Sequence, residues 1–580
     1  MAVTPPCLWA ASWAGLFASG FPGTILVVAY HLIIIAVLNY TISLIRYHRA
    51  QKAVTQGDCR LPPHYPSFIP YFGPLFQLWW NHGKFMRGLS SYRGRLTSNR
   101  VTLMGQTYYS FQEPDTIEKL FKQSTLSSSI DMYGFVNSYL LGTSKTTMAL
   151  YKADNSGPFP QPHPNSNVLP HNRIDWITHH STSRGLVGPG LQPTTSRFAK
   201  ELRRRLQDLS ITEEWTEMSD FAQFYREIIG ASALQSIVGP TMLRLHPTFV
   251  KDIFKFDSIF PTFALGLPYF MMPKSYRFRD SLVAQFKNWY RFAREHFDPS
   301  HIYDDGDGDP YWGSAMMRDR QNSILGIDGH DDEALARVDL GLIWATIGNV
   351  VLSAMFSAFH IFKDTDLLDR VRQDLHKYLG QSNVFDADPP RLAKEMPLLS
   401  SIYAETLRLY IKVYSVYSSP HEDVELGKWR LPKGALAILN SEPSHMNSNF
   451  WNTKNGEHPV ESFWSDRFLV DPSDPDSGPV SPSLRKPSTK LDKQTGKGPI
   501  FSTEGCEGAW IPYGGGYSMC PGRFLARNII ILTSAVITSE YDVELGDSSP
   551  EFTRKRYGMG VEDLKKALPF RIRKRASAQE

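Results

Sequence analysis

From Thr24 to Ile45 the chain reads TILVVAYHLIIIAVLNYTISLI, 22 residues without an Asp, Glu, Lys or Arg. A helix of about 20 apolar residues crosses a bilayer, so residues 24–45 are predicted to be a retained transmembrane anchor. A cleavable leader needs a basic start and a small-residue cleavage site, and neither stands out here. No charged side chain precedes the run, whereas Arg46, Arg49, Lys52 and Arg60 follow it. Positive charge on that side places the bulk of the chain in the cytosol. Residues 1–23 form a separate apolar N-terminal segment, either an interfacial helix or part of a second span. Residues 46–61 form a basic linker.

Beyond the linker the dominant period is helical. Leu202 to Leu209, Asp220 to Val238 and Asp366 to Leu379 carry apolar positions three and four residues apart. Leu335 to Phe362 is apolar almost throughout and holds no proline. As a helix it would run about 42 Å at 1.5 Å per residue. It is expected to be a buried central helix rather than a second span, because its flanks give no topological logic for one. Val424 to Leu439 predicts a short strand pair, with Gly427 and Pro432-Lys433-Gly434 as turns. Three stretches break these patterns. Prolines between Pro62 and Pro74 predict a stiff joint after the anchor, and 152–172 and 470–509 predict surface loops. The sum is a mainly α fold with small β-sheets.

Composition removes some function classes. The 580 residues are 42% apolar, with a net charge of +4 and scattered Lys and Arg. No basic stripe marks a nucleic-acid binder. The four cysteines contain no CxxC pair, which argues against a structural zinc site or a disulfide scaffold. YDDGDGDP at 303–310 lacks the Gly and the bidentate Glu of a calcium loop and is expected to be a solvated acidic turn. His163, His171, His179 and His180 lack zinc-like spacing. Gly514 to Gly516 lack the following Gly-Lys-Ser/Thr of a phosphate loop.

Near the C-terminus the chain reads WIPYGGGYSMCPGRFLARNII. Cys520 thus falls on a tight loop at the start of an amphipathic helix. Helix N-termini offer unpaired N–H groups and the positive end of the dipole, so a thiolate there is stabilised and can bind a soft metal. Gly516 and Gly522 let backbone approach a flat ligand closely. A buried structural cysteine fits this fragment equally well.

The segment resembles the haem-binding loop of the cytochrome P450 family, aromatic-x-x-Gly-x-x-x-Cys-x-Gly, filled by Tyr513, Gly516, Cys520 and Gly522. Three further signatures stand in the family's order. Glu405 and Arg408 form Glu-x-x-Arg. Phe463, Asp466, Arg467 and Phe468 resemble Phe-x-Pro-Glu-Arg-Phe, with Ser465-Asp466 in place of Pro-Glu. The proline cluster resembles the hinge after the anchor. The resemblance covers about residues 60–570. It implies the cytochrome P450 fold preceded by an N-terminal transmembrane helix, with 62–575 as catalytic domain and 576–580 as a tail. It implies heme b, its iron held by an axial thiolate from Cys520, with Tyr513, Gly516 and Gly522 beside it. Glu405 and Arg408 share a helix face, and Arg467 can join them in a charge-assisted network. By the resemblance that triad is structural and pins the cysteine loop.

The sequence departs from the family pattern twice. The Arg two residues before the cysteine is Ser518, and Trp-x-x-x-Arg appears as Trp176 with His180, leaving these two as candidate propionate partners. On the central helix, the family's acid and Thr, which deliver protons, are replaced by Gly348-Asn349. This helix and Ser518 look like the branch with sterol 7α/12α-hydroxylases and prostacyclin synthase. Asn349 can donate and accept hydrogen bonds, holding a water or an oxygen ligand, but it is no acid. An Asn bonded within its own helix is the plainer reading.

Monooxygenation is the commoner family activity and is the expected function. The substrate is then a lipophilic small molecule (terpenoid, steroid or polyketide-like) in specialised metabolism, and electrons come from NADPH-cytochrome P450 reductase. The expected location is the endoplasmic reticulum membrane, single-pass. Two alternatives stay open: a donor-independent isomerase or dehydratase, and a membrane-tethered haem-binding protein without turnover.

Overall fold

A computed structural model describes residues 20–52, 59–68, 73–92, 94–103, 105–123, 130–485 and 498–576. The expectation of an additional apolar segment within 1–19 lies outside the described residues. Helix α1 (Gly20–Lys52) contains the apolar run and continues through the basic residues to Lys52. Its Ile25–Gln51 portion is long and apolar enough to cross a membrane, and Leu26, Leu32, Ile33 and Ile35 are exposed.

The last turns of α1 dock on the domain. Asn39 Nδ2 donates to the carbonyls of Ser67 and Phe68, each at 3.1 Å. Tyr40 stacks on Phe68 at 4.3 Å. Tyr47 is buried with its hydroxyl 3.3 Å from Thr97 Oγ1, and Gln51 Nε2 donates to Ser98 O at 3.0 Å. Side-chain contacts therefore seat the end of α1 on the domain, and Asn39, a polar intrusion in the apolar run, has partners.

Six further helices position the site: α2 (Ile174–Leu186), α3 (Leu191–Asp208), α4 (Phe249–Phe263), α5 (Asp332–Lys363), α6 (Pro397–Tyr410) and α7 (Arg523–Glu540). The expected central helix is α5. Asp331 caps it by accepting the Ala334 N–H, Asp332 and Glu333 suit its positive N-terminal end, and Lys363 suits the other. Its 32 residues span about 48 Å. The apolar stretch is 78% buried within the domain, so its hydrophobicity serves the core. Helix α7 packs along it, and α6 packs against both. The stretch expected to be helical from Asp220 to Val238 contains a π turn at Arg226–Gly230 and is bounded by a kink at Gly239. Gly239 has φ 76°, and a Cβ there would lie 2.7 Å from Gly313 Cα. Two backbones touch at that point, and Pro240 follows.

The sheets are small. Strands β1 (Asn99–Leu103), β2 (Gln106–Ser110), β3 (Ile411–Ser418), β6 (Leu436–Asn440) and β7 (Met559–Val561) form one sheet in the order β7-β3-β6-β2-β1. Only the β2–β6 pairing is parallel. Strands β4 (Val424–Leu426) and β5 (Trp429–Leu431) make the predicted hairpin, turning at Gly427. The second predicted turn instead delivers β6 to the larger sheet.

The acidic run at 303–310 corrects the sequence reading in its second half. Asp307 and Asp309 are buried. Arg197 pairs with Asp305 and Asp307 at 2.7 Å each, and Arg318 pairs with Asp309. Asp309 Oδ1 also accepts the N–H groups of Tyr311 and Trp312. Residues 303–306 are exposed, as a solvated turn should be, whereas 307–309 are buried, because short carboxylates there satisfy both nearby backbone and distant arginines.

Candidate functional site

Glu405 and Arg408 sit one turn apart on α6. With Arg467 they are fully buried. Arg408 Nε and Nη2 meet the two Glu405 oxygens at 2.7 and 2.8 Å, a bidentate pair. Arg467 Nε donates to Glu405 Oε1 at 3.0 Å, and the Trp464 N–H donates there at 3.2 Å. Arg467 also donates to the carbonyls of Asn452 and Pro459. Each buried charge has its counter-charge and its hydrogen bonds.

This network reaches the cysteine loop through named contacts. Arg408 Nη1 donates to the His445 carbonyl at 2.8 Å, and His445 Nε2 accepts the Ile511 N–H at 3.1 Å. Burial, then the charges of Lys412 and Arg408, hold the His445 pKa well below its ordinary value. The ring stays neutral and keeps a lone pair for Ile511. Trp510 Nε1 donates to Ala404 O at 3.2 Å, and the Tyr403 and Tyr513 hydroxyls are 2.8 Å apart. Replacing His445 with alanine orphans a buried N–H. The expected cost is about 1–3 kcal/mol, measured by chemical denaturation.

Within the loop, Gly514 and Gly516 take φ 67° and 64°, and a Cβ on Gly515 would lie 2.2 Å from the Phe121 ring. The three glycines thus answer a backbone requirement. The Cys520 N–H donates to Tyr513 O at 3.0 Å. Its side chain keeps open surface although protein surrounds it. Burial pushes the thiol pKa up, while the N–H groups of Gly522 and Arg523 and the Arg523 charge oppose that without overturning it. A cation at sulfur supplies what is missing, since coordination deprotonates a thiol. The donor set therefore fits an iron-bound thiolate.

Trp176 and His180 are brought together, but against each other: their rings stack at 4.4 Å. His179 on α2 does reach the cysteine loop, 5.3 Å from the Tyr517 ring, with Arg523 near enough to depress its pKa after burial. Phe159, from the loop after residue 152, packs on Tyr517 at 4.2 Å. The four histidines grouped by sequence take separate partners. His163 stacks on His421, and His171 meets Asp328 at 3.2 Å.

On α5, Ala345 is exposed midway along a helix that the domain otherwise encloses, and Asn349 one turn on is half-buried. Asn349 Nδ2 is 3.4 Å from Ala345 O, and its Oδ1 accepts the Val561 N–H at 3.1 Å. Gly348 is buried beside Asp257 and Arg556, two residues that sequence reasoning did not single out. Burial raises the Asp257 carboxyl pKa, partly offset by Arg556 and the Trp344 N–H.

A loop cysteine at a helix N-terminus, keyed to a buried Glu-Arg-Arg network, defines a haem-thiolate protein. A sequence model of the family described as Cytochrome P450 matches residues 242–568. The chain belongs to the cytochrome P450 family. It is 29% identical over 527 residues to Cytochrome P450 monooxygenase efuG of Hormonema carpetanum, covering 88% of this chain and 90% of that one. It is 29% identical over 544 residues to Cytochrome P450 monooxygenase fsoE of Humicola fuscoatra, covering 91% and 90%. To the 5-beta-cholestane-3-alpha,7-alpha-diol 12-alpha-hydroxylase of Sus scrofa it is 24% identical over 428 residues, 69% and 75% of the two chains. The expected branch therefore stands. The fold is the cytochrome P450 fold, the enzyme class is monooxygenase, and the cofactor is haem whose iron carries a cysteine thiolate.

Proposed function

We propose that this chain inserts one oxygen atom from O2 into a lipophilic small molecule of terpenoid, steroid or polyketide-like class, in the biosynthesis of a specialised metabolite. NADPH-cytochrome P450 reductase supplies the electrons. The chain is single-pass in the endoplasmic reticulum membrane, with the catalytic domain, residues 62–575, in the cytosol. Cys520 is the iron ligand, Tyr513, Gly516 and Gly522 shape its loop, and Trp176 and His180 lie on the propionate side with His179. Gly348 and Asn349 lie on the oxygen side. The observation that carries this reading is the placement of Cys520 just before α7, its side chain open, on a loop tied to Glu405 and Arg408.

Bound haem supplies oxygen activation, helped by the electron push of the thiolate. The protein's own residues position and exclude. The Glu405 network and His445 fix the loop, α5 closes the apolar side, and Asn349 offers an amide where no acid stands. Relatedness to an enzyme named for a cholestane diol supports a steroid-like substrate. The lipid-facing anchor supports an apolar one.

The test is turnover of a steroid and terpenoid panel by the purified full chain, with and without reductase. Hydroxylated product that requires both NADPH and reductase is expected. Product formed without any electron donor makes the chain an isomerase or dehydratase instead. Spectral binding with no product from any donor makes it a haem-binding protein.

A further inference from the structure

Three elements meet at Asn349. Arg556, almost fully buried just before β7, donates from Nη1 to Gly348 O at 3.3 Å and to Val561 O at 3.0 Å. Its Nη2 is 3.4 Å from Asn349 Oδ1 and 3.0 Å from Asp257 Oδ1. Asp257, on α4, also accepts the Trp344 Nε1–H at 2.6 Å. The Asn349 carbonyl oxygen therefore faces two protein donors, the Arg556 guanidinium and the Val561 N–H. Turning the amide over would set its NH2 against both of them. The hydrogen-bond network thus fixes which end is oxygen.

An amide has one carbonyl and two N–H groups. Here the carbonyl is occupied. One N–H leans back to Ala345 O at 3.4 Å, and the other is left on the half-buried side, beside exposed Ala345. Two glycines make room for this clamp. A Cβ on Gly560 would lie 2.1 Å from Asn349 Oδ1, and one on Gly348 would lie 3.2 Å from Arg556 Nη2. An asparagine bonded only within its own helix needs neither glycine.

We propose that Arg556, anchored by Asp257, is a positioning residue that fixes Asn349 as a pure hydrogen-bond donor toward the oxygen side of the haem. The inference rests on the placement of Asn349 proposed above and deepens it. Asn349 then recognises ligands that present an oxygen lone pair, and it neither supplies nor takes a proton. Any proton delivered on that side then comes from a group other than Asn349.

The C–O stretch of the reduced carbon-monoxide form of the full-length holoenzyme reads donors beside the ligand without turnover. Wild type is expected to show one band, and Asn349→Leu to shift it upward by removing the donor. Arg556→Gln and Asp257→Asn are expected to split the band or move it toward the Asn349→Leu position, and Arg556→Lys to restore it in part. If Arg556→Gln fails to fold, Gly560→Ala, whose methyl lands on the same amide, is expected to move the band in the same way. A wild-type band in the Arg556, Asp257 and Gly560 variants, with a shift in Asn349→Leu, overturns the positioning role. An unchanged band in Asn349→Leu overturns the oxygen-side placement, and the inference with it.

Discussion

Replacing Glu405 with alanine should leave the protein without stably bound haem and destabilise it by about 3–5 kcal/mol, the range for breaking a buried ion pair from one side. The substitution strands Arg408 and Arg467, both fully buried, with no counter-charge between them. It also removes the acceptor of the Trp464 N–H. Domains are typically stable by only about 5–15 kcal/mol, so such a loss leaves the fold marginal. The Arg408–His445–Ile511 path passes the damage to the cysteine loop. Denaturant midpoints and the haem-to-protein ratio check both parts. The pH dependence has a defined sign. Burial alone would raise the Glu405 pKa, but the Arg408 and Arg467 charges outweigh it and hold the group below its ordinary 4.5. Its stabilisation is therefore complete above pH 4.5 and is lost as pH falls through the lower folded value. The stability gap between wild type and Glu405→Gln should shrink on acidification through that window.

Cys520→Ala should abolish product formation while leaving the fold intact. No other cysteine among the described residues is placed to replace it. Cys506 is buried elsewhere in the core, with its thiol pKa pushed far up by burial. The Cys59 thiol donates to Trp429 O. The Cys520 side chain is itself open rather than packed, so its removal leaves little cavity. Cys520→Ser tests the same point with less change of shape, because a hydroxyl is a harder ligand than a thiolate. Circular dichroism should stay at the wild-type signal in both variants, and turnover should vanish.

What the sequence made legible was local. The apolar run of α5, the Gly427 turn and the three-residue spacing of Glu405 and Arg408 are each written within a few residues. The Gly-rich approach to Cys520 is too, since positive φ at Gly514 and Gly516 leaves a composition mark. Contacts between distant residues left no such mark. Asp257 and Arg556 are ordinary charged residues until α4 and β7 meet across α5. The second half of the acidic run read as solvated because Arg197 lies about 110 residues before Asp307. His179 and His180 are adjacent, and only the rotation of α2 decides that His179 turns to Tyr517 while His180 stacks on Trp176.

The account rests on a thiolate from Cys520 at the haem iron. The direct measurement is the reduced carbon-monoxide difference spectrum of the purified full chain and of Cys520→Ala. Wild type should show the thiolate-type Soret band near about 450 nm, and the variant should lack it. A wild type without that band, or a variant that keeps it, contradicts the assignment.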